Sequence, residues 1–114
     1  MYLLTARGRK SGQPRTVPIV IIERNGKRYL GAPFGVVDWV RNLRAAGEAI
    51  LTRGRRSETV NVIELPLRDA ALVLREEIKG GNPFGRYFGV TPESSLEEFE
   101  RTTINHPLFL LEGK

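Results

Sequence analysis

The dipeptide Asn25-Gly26, set between Ile22 and Tyr29, constrains this chain more than any other feature. Both residues tolerate positive φ, which a two-residue type I′ turn needs at both central positions, so the flanking segments must run antiparallel. The return strand is then 27–32. The leading strand is 16–23, β-branched and apolar, with Pro18 placing its start at a sheet edge or a gap in the ladder. An earlier strand over 2–6 is ended by the turn-rich Arg7-Gly8-Arg9-Lys10-Ser11-Gly12-Gln13-Pro14. Segments 49–53 and 57–65 read as two more strands about Gly54, and 107–111 as a closing one.

Between these strands the apolar period changes. Val36, Trp39, Val40 and Leu43 recur at helical spacing over 36–46, with Gly47 able to close the helix. Leu67, Ala71, Leu74 and Ile78 line a second helix, stopped by Gly80-Gly81-Asn82-Pro83. Thr91-Pro92 followed by Ser94-x-x-Glu97 has the form of a capping box, and Leu96, Phe99 and Thr103 then share a face of a third helix. The order βββ-α-ββ-αα-β is dominated by hairpins. It implies a mostly-β or α+β fold: a small closed or split antiparallel β-barrel with about three helices packed outside.

At 114 residues the chain is expected to be one domain, 1–114. It contains no cysteine, which removes disulfides, thiolate nucleophiles and cysteine metal sites together. No apolar run approaches the roughly 20 residues that span a bilayer, and the start lacks the flanks of a signal peptide. A cytoplasmic address and no membrane role are expected. The net charge is +5, and residues 1–56 hold twelve Lys/Arg against three Asp/Glu, while 57–114 hold six against ten. Such asymmetry points to an anionic partner held by the first half, whether nucleic acid, acidic lipid or a phosphorylated cofactor.

Two constellations could carry chemistry. In Arg7-Gly8-Arg9-Lys10-Ser11-Gly12-x-x-Arg15, four cations and two glycines lie between two strands, suited to phosphate or carboxylate. The same stretch also reads as a solvated basic hairpin, and it lacks the GK[ST] ending and following helix of a P-loop. Trp39 and Asn42, three apart, share a helix face. A lone tryptophan is more often core, yet with the basic loop nearby this pair suits a flat ring with polar edges. His106, before Pro107, reads as structural, and Asp69, Glu76 and Glu77 as a solvated helix face. Nothing resembles a nucleophile–base pair or a metal cluster, so an enzyme of this kind would take its chemistry from a cofactor.

The stretch Leu4-Thr5-Ala6-Arg7-Gly8-Arg9-Lys10-Ser11-Gly12-Gln13-Pro14-Arg15-Thr16-Val17-Pro18, taken with Asp38-Trp39-Val40-Arg41-Asn42-Leu43-Arg44, resembles the deazaflavin-dependent nitroreductase family. The likeness runs through Asn82-Pro83-Phe84 to His106-Pro107-Leu108-Phe109-Leu110. It implies a split β-barrel related to the flavin-mononucleotide-binding barrels and coenzyme F420 as cofactor, with FMN the weaker candidate. It also implies hydride transfer from reduced F420 to a small electrophilic acceptor: a quinone, an enone or a nitro compound. Arg9, Lys10 and Arg15, helped by Ser11 and Gly12, would hold the phosphate and acidic tail. Thr16, Val17 and Pro18 and the turn Ala32-Pro33-Phe34-Gly35 would border the ring, with Trp39 and Asn42 completing the cleft. Tyr87 is the expected proton donor or relay, with solvent as the alternative. A homodimer is also implied.

Here the turn before Trp39 is compressed to Pro33-Phe34-Gly35-Val36-Val37-Asp38, whereas relatives often carry a longer one with a lysine and extra glycines. The chain also begins on its first strand, without the extension that some relatives use at membranes. Two other readings compete: a non-catalytic deazaflavin carrier, and a basic nucleic-acid-binding barrel. Aromatics are not interleaved with the basic run as a base-stacking platform needs, which disfavours nucleic acid.

Overall fold

The computed structural model describes residues 2–81 and 85–114. Its strands are β1 (Tyr2–Arg7), β2 (Pro14–Ile19), β3 (Ile21–Arg24), β4 (Lys27–Gly31), β5 (Glu48–Arg53), β6 (Arg56–Glu64) and β7 (Leu108–Gly113). Three helices join them: α1 (Asp38–Ala46), α2 (Leu67–Lys79) and α3 (Leu96–Asn105), with one short 3-10 turn at Gly85–Phe88. The seven strands form one antiparallel sheet in the order β2-β1-β5-β6-β7-β4-β3.

That order puts β2 and β3 at opposite edges, although Val20 alone separates them in sequence. The single strand expected over 16–23 therefore exists as a bent one that changes partner. Its first half pairs with β1, Ile19 opposite Tyr2, and its second half pairs with β4, Ile21 opposite Leu30. The change of partner closes the sheet into a barrel and also leaves it split. Before Val20 the strand has no neighbour on the β4 side, and Pro14 and Pro18 are tolerated there because β2 has only one partner. The Asn25-Gly26 turn forms as expected, with φ of 52° and 74°.

Inward residues alternate with outward ones, as half-buried strands require. Leu4 and Ala6 of β1, Ala49 and Leu51 of β5, and Phe109 and Leu111 of β7 meet in the barrel core, joined by Val40 and Leu43 of α1. A second core lies between α2 and α3, where Ala70, Ala71, Leu74, Ile78 and Phe99 pack with Phe88, Val90 and Leu108. Strand β7 reads Leu108-Phe109-Leu110-Leu111 without alternation because Phe109 and Leu111 face the barrel while Leu108 faces the helices. Each fully buried side chain of this size contributes about 1.5–3 kcal/mol.

Three local expectations shift. Helix α1 starts at Asp38, not Val36: Gly35 has φ 88° and Val37 is extended, while Val36 and Val37 still pack on the barrel core. Apolar spacing alone made them look helical. Gly47 closes α1 at φ 72°, its N–H donating to the Leu43 carbonyl. The capping box sits one residue later than expected. Ser95 caps α3 by accepting from the Glu98 N–H at 3.2 Å, and Ser94 instead accepts from the Thr91 N–H at 2.9 Å. Glu77, expected to be solvated, accepts from Arg24 Nε at 3.0 Å, while Arg24 Nη2 donates to the Glu76 carbonyl near the helix end. The Asn82-Pro83 part of the α2 stop, and Phe84, lie outside the described residues.

Candidate functional site

The basic loop is a closed turn between β1 and β2. The Gly8 N–H donates to the Gln13 carbonyl at 2.8 Å, the Gly12 N–H to the Gly8 carbonyl at 2.9 Å, and the Gln13 N–H to Ser11 Oγ at 3.2 Å. A Cβ at Gly8 would lie 3.0 Å from Ser11 Oγ and 3.1 Å from the Gln13 carbonyl, so the turn closes this tightly only over glycine. Gly12, at φ 73°, makes the reversal.

Helix α1 holds this loop from the side. Asn42, buried at 7 % exposure, accepts at one oxygen, Oδ1, from both the Arg9 backbone N–H at 3.1 Å and Arg9 Nη1 at 2.8 Å. Arg9 Nη2 also lies 3.4 Å from Asp38 Oδ1, and Arg41 Nη1 approaches the same oxygen at 3.6 Å. Among the described residues, Lys10 and Arg15 form no ion pair. Two cations with no internal partner in one loop are a standing attraction for an anion.

Two cavities meet here. The polar one, of about 670 Å³, is lined by Arg9, Lys10, Ser11, Arg15, Thr16, Val17, Trp39 and Asn42, together with Gly8, Pro14 and Asp38. The apolar one, of about 250 Å³, occupies the split where β2 and β4 part. Pro18, Ile19, Val20, Ile22, Leu30, Gly31, Pro33, Phe34, Trp39 and Phe88 line it. Trp39 borders both. It stands half-buried against the barrel core, so its fixed position sets the boundary between a charged compartment and a greasy one.

The expected site residues therefore gather, with exceptions. Ala32 is buried and structural: its N–H donates to the Pro107 carbonyl, and its own carbonyl lies 3.1 Å from His106 Nδ1. His106, before Pro107, thus meets the backbone of the turn that carries Pro33 and Phe34. Gly35 turns the chain at φ 88°, and Gly12 does the same in the basic loop; neither lines a cavity wall. Tyr87 lines neither cavity. Its ring packs on Phe34 with centroids 5.1 Å apart, and Arg86 Nη2 donates to its hydroxyl at 2.9 Å. Phe34 itself is 68 % exposed at the rim.

Several wall residues had escaped the sequence reading: Asp38, Ile19, Val20, Ile22, Leu30, Gly31 and Phe88. Only Gly31 carried a signal, since a glycine in a strand often marks a close approach. A Cβ there would lie 3.3 Å from the Phe88 ring.

Comparison with known proteins gives a consistent result. Residues 1–83 match the family model described as F420H(2)-dependent quinone reductase. No curated protein matches the chain in sequence. A solved F420-H2-dependent reductase, FDR-A, is 23% identical, covers 97% of this chain and 92% of its own, and superposes with a TM-score of 0.66. A structure described as a domain-swapped dimer is 22% identical over 97% of this chain and 78% of its own, with a TM-score of 0.68. The heme storage protein of Vibrio cholerae shares the fold at 13% identity, TM-score 0.61, over 99% of this chain and 81% of its own. The fold is thus common to proteins holding different guests, and the site must decide between them.

Proposed function

The chain belongs to the F420H2-dependent quinone reductase family and is an F420-dependent oxidoreductase; from that premise we propose how its residues divide the work. Lys10 and Arg15 bind the phosphate and acidic tail of F420 in the polar cavity, with Arg9 and the Ser11-Gly12 turn shaping that wall. Thr16, Val17, Pro18, Pro33, Phe34 and Trp39 border the ring, and Ala32 and Gly35 hold the turn that presents Pro33 and Phe34. Residues 1–114 act as one cofactor-binding domain.

The observation that carries this reading is Trp39 standing between the two cavities. A cofactor with an anionic tail and a flat apolar ring needs a charged compartment joined to a greasy one, and the cations and the apolar walls fit that shape. Bound in its reduced form, F420 would supply a hydride to a quinone-type acceptor and be oxidised in turn; enones and nitro compounds are electrophiles of the same kind. The walls of the split hold the two reactants in near-contact and exclude water, an effect worth up to roughly 7–11 kcal/mol when the geometry is good. Among the described residues, none lining the apolar cavity carries a titratable side chain. The proton therefore comes from solvent or from Tyr87 at the rim, beside Phe34. Association into a homodimer, read by light scattering, belongs to the same proposal.

An absorbance titration tests the reading. F420 binds more tightly than FMN because two internally unpaired cations await its acidic tail. Equal or stronger affinity for FMN overturns the assignment of the basic loop.

A further inference from the structure

Arg9 looks like the leading phosphate ligand of the basic loop, yet its backbone N–H and part of its guanidinium are already held inside the protein. Asn42 Oδ1 takes both its backbone N–H and its Nη1, at 3.1 and 2.8 Å, from a buried position on α1. A second guanidinium nitrogen, Nη2, reaches Asp38, whose side chain is 82 % exposed and whose contact is long at 3.4 Å. The two contacts differ in kind. One acceptor serving two donors at short range on a buried side chain is a fixed anchor. A long, solvated ion pair is weak and exchangeable.

We propose that Asn42 is a positioning residue that holds the basic loop ready through Arg9, and that Asp38 is a resident counter-anion which an anionic group of the cofactor displaces from Arg9. The proposal rests on F420 being the ligand of the polar cavity. Asp38 lines that cavity with Arg9, Lys10 and Arg15, so its carboxylate both balances the cation cluster and opposes an incoming anion. Asn42 acts differently. It is neutral, it ties residue 9 to residue 42 across the mouth of the loop, and it leaves Lys10 and Arg15 free to meet the ligand. Exchange of one carboxylate for another at Arg9 forms and breaks no covalent bond and keeps the guanidinium paired throughout.

Four variants test this, read by amide hydrogen exchange on the free protein, by the F420 dissociation constant and by melting temperature. In Asn42→Leu the slow exchange of the Arg9 amide is lost, and F420 binds at least about tenfold more weakly, as expected for loss of a hydrogen bond to a charged group. Asn42→Asp keeps an acceptor in place and preserves the amide protection. Asp38→Asn tightens F420 binding by up to about fivefold at low salt, a gain that shrinks as salt rises. Arg9→Met, which leaves the buried amide in place, weakens binding by itself; should Asn42→Leu fail to fold, the smaller truncation Asn42→Ala is read in its place by the same amide exchange. The combined Arg9→Met/Asn42→Leu loss is smaller than the sum of the two single losses. Additive losses would mean that Asn42 touches the ligand directly, and a protected Arg9 amide in Asn42→Leu would mean that it does not hold the loop. Unchanged or weaker binding by Asp38→Asn overturns the counter-anion role. If the wild-type protein fails to bind F420, the functional reading falls, while the exchange experiment still decides whether Asn42 holds Arg9.

Discussion

Replacing Gly31 with alanine is the most informative single change to the apolar cavity. The Gly31 backbone lies outside the left-handed region, so alanine meets no backbone strain there. By narrowing the unfolded ensemble it would stabilise the protein by about 0.4–1 kcal/mol if nothing stood in its way. Something does: the new methyl group would lie 3.3 Å from Phe88 Cζ, 3.9 Å from Cε1 and 4.0 Å from Ile22 Cδ1. Phe88, only 5 % exposed, is gripped by the α2–α3 core and cannot swing freely. Overpacking of this kind costs about 1–3 kcal/mol, so Gly31→Ala should be destabilised by roughly 1 kcal/mol net, about 4 °C in Tm for a domain of this size. Phe88 and Ile22 both line the cavity, so the acceptor KM should change with it. Adding Phe88→Leu relieves the clash, and the double variant should lose less stability than the two single losses combined. Denaturant unfolding and steady-state kinetics on the same samples decide the matter. A stabilised Gly31→Ala with unaltered kinetics would refute the idea that this glycine exists to admit the Phe88 ring.

Lys10→Ala and Arg15→Ala should each weaken F420 binding about tenfold or more, most at low salt. Melting temperatures should stay unchanged, because neither cation has an internal ion pair; unaltered affinity in both returns the loop to a solvated hairpin. Trp39→Phe should lower single-turnover hydride transfer more than F420 affinity, since transfer depends on near-contact geometry. A fall in Tm with both other quantities intact would make Trp39 a core residue only. Hydrogen bonding from Arg28 at 2.5 Å holds the Glu58 carboxyl below its ordinary range. A depressed folded pKa means that this pair stabilises the protein above the unfolded carboxylate value and loses that contribution as pH falls through the folded one. The pair is solvent-exposed, so the effect should be no more than a few tenths of a kcal/mol. Glu58→Gln should abolish this part of the acid-side slope in pH-dependent unfolding, and an identical slope in the variant would exclude the pair as its source.

The sequence by itself determined whatever depends on a residue and its near neighbours. Asn25-Gly26 fixed a hairpin because two adjacent positive φ angles are a local demand. The apolar periods located each helix to within two residues, and Gly8, Lys10, Gly12 and Arg15 announced a cationic turn through their own conformational freedom and charge. The tertiary structure alone decided what depends on distant segments becoming neighbours. Nothing local to Val20 says that the strand leaves β1 for β4 there, yet that exchange opens the split and so creates the apolar cavity. The helix face that Asn42 shares with Trp39 was legible; its partner, Arg9, lies 33 positions away and could be found only once the basic loop and α1 were packed together. That Tyr87 stands against Phe34, a wall of the apolar cavity, was likewise decided by packing. Backbone preferences act over a few residues and so are written in short stretches of sequence, whereas a cavity wall is assembled from side chains whose proximity exists only after the sheet has closed.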